Sequence, residues 1–121
     1  MEDRDPLTGA ILNAAFEVAN TLGHGFLEKV CSKALDRELA LRDIAARREV
    51  TYAVSYKGEQ IASYVADLVV EDRVIVELKC ADRLTDAHMS QCLNYLRASG
   101  LTVALLLNFG RPRVEYRRVA L

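Results

Sequence analysis

The chain has 121 residues, 51% hydrophobic and 27% charged, with 16 Lys/Arg against 17 Asp/Glu for a formal net charge of −1. That is the size and composition of one globular domain spanning 1–121; the apolar content excludes a disordered chain, and 6 Gly and 2 Pro exclude collagen-like or low-complexity sequence. Near-neutrality argues against a uniformly basic phosphate binder, but the charge is uneven: residues 1–82 hold 10 Lys/Arg and 15 Asp/Glu, and residues 83–121 hold 6 and 2.

Asp5-Pro6 reads as a helix start, with the aspartate as cap and proline at the first helical position. Leu7, Ile11, Ala15, Val18 and Leu22 then recur at helical spacing until Gly23-His24-Gly25 breaks the helix. A second helix is expected from Phe26 to Leu41, with Leu27, Val30, Cys31, Ala34, Leu35 and Leu39 on its apolar side. From Ala46 the period changes to two: Val50, Tyr52, Val54 and Tyr56 alternate with polar neighbours up to a Lys57-Gly58-Glu59 hairpin turn. A strand from Gln60 to Val70, a Glu71-Asp72-Arg73 turn and a Val/Ile-rich central strand from Val74 to Cys80 follow. Thr85 or Asp86 caps a third helix ending at Ser99 before Gly100. The apolar run Leu101 to Asn108 reads as a buried strand, and Gly110-Arg111-Pro112 turns into a last, more exposed strand from Arg113 to Val119. The order α-α-β-β-β-α-β-β implies an α/β (α+β) fold, a mixed sheet with helices packed on it.

No segment approaches the roughly 20 apolar residues that cross a bilayer, and the acidic start MEDRDP is unlike a signal peptide, so no membrane association and a cytoplasmic location are expected. Cys31, Cys80 and Cys92 are odd in number and lack C-x-x-C spacing, which fits reduced thiols without a redox role.

Charged residues inside strands need a reason, because an unpaired buried charge is costly. Asp67 interrupts one strand, and Glu77 and Lys79 interrupt the next from one face, since residues i and i+2 of a strand point the same way. Pairing Val70 with Val74 around a three-residue loop sets Asp67 opposite Glu77; a two-residue loop slips the register and sends the carboxylates to opposite faces. Two adjacent carboxylates repel unless a cation lies between them. All-oxygen ligands beside a lysine suit Mg²⁺ or Mn²⁺ rather than zinc, and such an ion polarises a phosphoryl oxygen and acidifies a bound water. A plain ion pair between Asp67 and Lys79 on a solvated face is the structural alternative.

Asp67, a short hairpin and Glu77-Leu78-Lys79 resemble the D…(D/E)-x-K signature of the PD-(D/E)XK nuclease superfamily, with Ala66 where that name has proline. Gly25-Phe26-Leu27-Glu28-Lys29-Val30-Cys31 resembles the G-x-x-E-x-x-Y motif of a mostly bacterial family within it, with Cys31 in place of the tyrosine. The likeness continues through Tyr64-x-x-Asp67, Leu84-Thr85-Asp86-x-His88, Gln91-x-Leu93-Asn94-Tyr95-Leu96 and Asn108-Phe109-Gly110. It implies a restriction-endonuclease-like core and a Mg²⁺- or Mn²⁺-dependent nuclease acting on nucleic acid, with DNA as the expected substrate. Asp67, Glu77 and Glu28 are then the metal ligands, and Lys79 serves at the attacking water. Gln91 and Tyr95 match a Q-x-x-x-Y pattern on the helix after the catalytic strand, and His88, Gln91 and Tyr95 form one stripe there that orients Lys79 or contacts substrate.

Each residue also has a structural role to weigh. Glu28 in a first helical turn complements the helix dipole. His88 suits a helix start, Gln91 a backbone-bonded amide, and Tyr95 a core position. Arg111 and Arg113, with Arg117 and Arg118, read either as a phosphate-contacting edge or as charges that discourage edge-to-edge strand pairing. A non-catalytic nucleic-acid-binding or protein-interaction module that keeps the fold is the alternative function. Cleavage of both strands of a duplex by one small site would call for a homodimer.

Overall fold

The computed structural model describes residues 5–121; the acidic residues 1–4 of the MEDRDP start lie outside the described residues. Helix α1 (Pro6–Leu22) is capped by the Asp5 carboxylate, which accepts from the Leu7 N–H, with Pro6 in the first turn where its missing N–H costs nothing. Helix α2 runs Glu28–Leu41, two residues shorter than the expected start at Phe26: Leu27 is extended, and at 76% exposure it lies outside the apolar face. Val30 is also exposed, and Cys31, Leu35 and Leu39 carry the burial.

Strands β1 (Ala46–Tyr56) and β2 (Glu59–Val70) form a hairpin whose turn is Lys57-Gly58 alone, both with positive φ, so Glu59 belongs to the strand. Between Val54 and Ser55 the register shifts by one, and Ile61 on β2 is the unpaired residue. The Glu71-Asp72-Arg73 loop has three residues, and β3 (Val74–Lys79) pairs antiparallel with β2 from Val70–Val74 onward, as the functional register requires.

Helix α3 (Asp86–Ser99) starts at a Thr85–His88 capping box and ends at left-handed Gly100. β4 (Val103–Asn108) pairs parallel with β3, and β5 (Glu115–Ala120) is antiparallel to β4. Both strands begin two residues later than their patterns indicate. Leu101 instead donates its N–H to Ser99 Oγ below the helix cap, and Pro112 at the second turn has no N–H for a ladder.

The sheet order β1-β2-β3-β4-β5 makes the mixed sheet of a restriction-endonuclease-like core, with β3 at the centre. α1 and α2 cover one face, where Ile11, Leu35, Leu68, Val76 and Leu105 meet; α3 covers the other, where Leu96, Val69, Ile75 and Leu106 meet. Leu78 also joins the first layer, so alternation along β3 turns Glu77 and Lys79 toward α3. Among the described residues no helix is long and apolar enough to cross a membrane.

Buried Asn108 clamps the loop that leaves β3. Its Oδ1 accepts from the Ala81 and Gly110 N–H groups, and its Nδ2 donates to the Ala81 carbonyl and to Glu115 Oε1. Glu115 Oε1 also accepts from the Leu84 N–H. Gly110 is required by the same contact, because a Cβ there would sit 2.5 Å from the Ala81 carbonyl oxygen. Gly110→Ala is expected to destabilise the fold by about 1–3 kcal/mol as backbone overpacking, lowering the denaturant midpoint in urea unfolding followed by circular dichroism.

Candidate active site

The β2–β3 ladder stops at Leu68–Val76, one pair short of Asp67 and Glu77. Beyond it, side chains replace the backbone bonds: Glu77 Oε2 accepts from the Asp67 N–H at 2.9 Å, and Asp67 Oδ2 accepts from the Leu78 N–H at 2.8 Å. The carboxylates therefore meet in the gap between diverging strands. Alternation along β2 reverses here, since Ala66 packs in the α3 layer and Leu68 in the α1/α2 layer. The expectation that both acids lie on one regular sheet face is corrected accordingly: Glu77 projects from the α3 side, while Asp67 also lines a groove shared with α2.

Each carboxylate spends one oxygen on a backbone N–H; Asp67 Oδ1 and Glu77 Oε1 have no hydrogen-bond partner among the described residues. Glu77 is only 3% exposed. Burial first, and then the Asp67 charge, push its acid up to about 8 against the relief from the Asp67 N–H and Lys79. Burial also raises Asp67; the Leu78 N–H bond opposes this, and Glu28 adds to it. A buried pair with two open oxygens holds either a proton or a cation at neutral pH. An all-oxygen donor set of this kind fits a hard divalent ion.

Lys79 donates from Nζ to Gln91 Oε1 at 3.0 Å, so the amide on α3 aims the ammonium. No ion pair between Lys79 and Asp67 forms among the described residues, although the lysine charge favours both ionised acids. Glu28 stands at the first turn of α2 with Oε2 accepting from the Cys80 N–H at 3.3 Å, which ties α2 to the end of β3. Its charge reaches both Asp67 and Glu77. Among the described residues no group of three or more His, Cys, Asp or Glu side chains is assembled as a metal cage.

Of the other expected residues, His88 uses Nδ1 to accept from the Thr85 N–H and so builds the α3 cap. Tyr95 is buried, not presented to a substrate: its ring packs edge-on to Tyr64 at 4.8 Å, and its hydroxyl is pushed up to about 12 by burial and then by Glu77 and Asp67. Arg111 and Arg113 are exposed on the β4–β5 connection, and Arg113 lines a groove with Phe16 and Tyr116, apart from the carboxylates. All three cysteines are free; Cys31 and Cys92 are buried and Cys80 is half-buried.

Sequence reasoning missed Glu49 and Arg48. With Glu28, Lys29, Ser32 and Asp67 they line a groove of about 270 Å³. The flanking pairs Arg48–Leu68 and Val50–Ala66 set Glu49 opposite Asp67, and Glu49 has a left-handed φ of 56°. Arg48 donates from Nε to Ser32 Oγ and lies 3.7 Å from Glu49. The hidden signal was the bulge: counted straight from the turn, Arg48 rather than Glu49 faces Asp67.

A family model described as the PD-(D/E)XK nuclease superfamily matches residues 5–119. The crystal structure of SSO0001 is similar in fold, with a TM-score of 0.52 and 15% identity, covering 97% of this chain and 78% of that one. No curated protein matches the chain.

The raised Glu77 acid makes a pH prediction for metal-free protein. Its folded value near 8 exceeds the ordinary 4.5, so the native state holds a proton that the unfolded chain releases between those values. Stability is then full below about 4.5 and is lost as pH rises through about 8. Urea unfolding in chelator should show this decline, and Glu77→Gln should flatten it; an equally steep decline in the variant would place the effect elsewhere.

Proposed function

The chain belongs to the PD-(D/E)XK nuclease superfamily, and we propose that it is a Mg²⁺- or Mn²⁺-dependent nuclease that hydrolyses phosphodiester bonds in DNA, in the G-x-x-E-x-x-Y branch. The observation that carries this reading is the buried Asp67–Glu77 pair with one open oxygen each, beside a lysine held by Gln91.

Asp67 and Glu77 would hold the divalent ion, with Glu28 completing the set from α2. The bound ion supplies a polarised phosphoryl oxygen and an acidified water. Lys79 keeps its ammonium at the α3 side of the pair, where it positions the attacking water or offsets charge building on the phosphate. Gln91 acts through Lys79 as a positioning residue. Lys29 and Arg48 flank Asp67 in the groove and are better placed than Arg113 to meet the phosphate backbone. His88 retains Nε2 for a substrate contact, and Arg111 remains a phosphate contact at the loop beside Gly110.

A second reading, a module that binds nucleic acid without cutting it, draws on one observation: Asp67 and Glu77 are already bonded to backbone N–H groups and no three-residue cage is formed among the described residues. Titration calorimetry with Mg²⁺ and Mn²⁺, with and without DNA, separates the two.

Purified protein is expected to nick or degrade plasmid DNA with Mg²⁺ or Mn²⁺ and not in chelator. Lys79→Ala should reduce the rate by about 10²–10³-fold while leaving the thermal midpoint near wild type. Gln91→Ala should reduce it less, because the lysine stays and only its aim is lost. Equal rates in wild type and Lys79→Ala would sink the assignment.

A further inference from the structure

The two edges of the sheet are built differently. β5 carries Glu115, Arg117 and Arg118, the kind of charge that discourages another strand from docking. β1, the opposite edge, presents Val50-Thr51-Tyr52-Ala53-Val54-Ser55-Tyr56, seven residues with no charge, proline or glycine. Over these seven residues the irregularity of the hairpin, the unpaired Ile61, lies on the inner strand and leaves the outer edge regular. Tyr56, Ile61 and Val65 around it are 60%, 62% and 49% exposed. An open edge of this composition is a template for strand addition.

We propose that the β1 edge is the interface between two copies of this chain, paired antiparallel about a two-fold axis through Ala53. The argument for a second copy as occupant is that the segment is its own complement. In that register Tyr52 faces Val54, Thr51 faces Ser55 and Val50 faces Tyr56. These are aromatic–β-branched and hydroxyl pairs, the combinations that favour cross-strand contact. One step further out the regular pairing ends at both sides, because Glu49 and Lys57 have left-handed φ. The register also joins residues of like parity, so the half-buried stripe Val50, Tyr52 and Val54 stays on the α3 side and Thr51, Ala53 and Ser55 stay together on the other. The arrangement is isologous and closes on itself, which stops the edge from recruiting further strands. A groove of about 580 Å³ beside Ala53, Val54 and Ser55, bounded by Tyr64, Asn94 and Arg97 of the α3 side, leaves room for side chains of the incoming strand. The interface rests on the fold and is independent of nuclease activity.

Sedimentation equilibrium over micromolar to high-micromolar concentration tests it. Wild type is expected at twice the 13.5 kDa chain mass. T51K/S55K places like charges opposite each other twice and should weaken dimerisation at least 10-fold, whereas T51K/S55D makes the same positions opposite in sign and should restore it. Both sites are exposed, and circular dichroism should show both variants folded. In wild type, amide exchange across 50–56 should slow as concentration rises, a readout that needs no variant. A monomer at every concentration, a dimer indifferent to T51K/S55K, or a folded T51K/S55K monomer that T51K/S55D does not rescue would each overturn the pairing.

Discussion

Between β2 and β3 two carboxylates stand in for a backbone ladder. A regular antiparallel pair would continue from Leu68–Val76 to Asp67–Glu77 with main-chain bonds alone. Here Asp67 and Glu77 take the Leu78 and Asp67 N–H groups on their own oxygens, which satisfies those donors while the strands part. A groove lined from α2 and β1 reaches Asp67 at this point, while Glu77 stays buried. The same bonds hold two like charges in a poorly solvated place, and the raised Glu77 acid is the electrostatic consequence. Structure and electrostatics have one cause: holding the pair together on backbone donors in a buried place raises both acids.

The surrounding elements serve to keep that gap in place. β3 is central, and where β2 lets go its C-terminal end stays paired with β4 as far as Lys79–Asn108. Asn108 and Glu115 fasten residues 81–84 to β4 and β5, and Glu28 fastens Cys80 to α2. Lys79 thus leaves a strand whose next residues are tied on two sides, and Gln91 fixes its tip. Asn108 touches neither carboxylate, yet its fully buried amide decides where the chain goes after the lysine. A tied backbone around acids that are themselves held by backbone N–H groups is a preorganised arrangement.

Much of this was legible because it follows local rules. The Asp5 cap, the Thr85 cap, the Gly100 stop and the Val/Ile-rich β3 each obey a short-range preference that tertiary packing did not override. The three-residue loop mattered most, since loop length alone sets which residue of β3 approaches Asp67. What escaped depended on non-local events. The extra residue at Ile61 shifts the hairpin by one and trades Arg48 for Glu49 opposite Asp67. Nothing in the alternation of Val50, Tyr52 and Val54 reveals it, because that alternation is unbroken on β1. Tyr95 shows the opposite failure: its spacing from Gln91 put it on a functional stripe, and burial against Tyr64 then removed it from contact with solvent.

The charge balance also changes meaning once the residues are placed. A net charge of −1 concealed an acidic N-terminal part and a basic C-terminal part, and the simple inference was that acids bind metal while the C-terminal arginines meet phosphate. The acids do collect at one place, but so do Lys29 and Arg48, from the acidic half of the chain. Arg113 instead sits with Phe16 and Tyr116, and Arg117 lies beside Glu115 on the β5 edge. Cations that flank a carboxylate pair do two things at once. They lower the electrostatic barrier that three or four acids would raise against an approaching anion, and they leave the compensation of Asp67 and Glu77 to Lys79, whose charge bears on both. The local field around the pair therefore varies in sign over a few residues, which a net charge summed over the chain has no means of expressing.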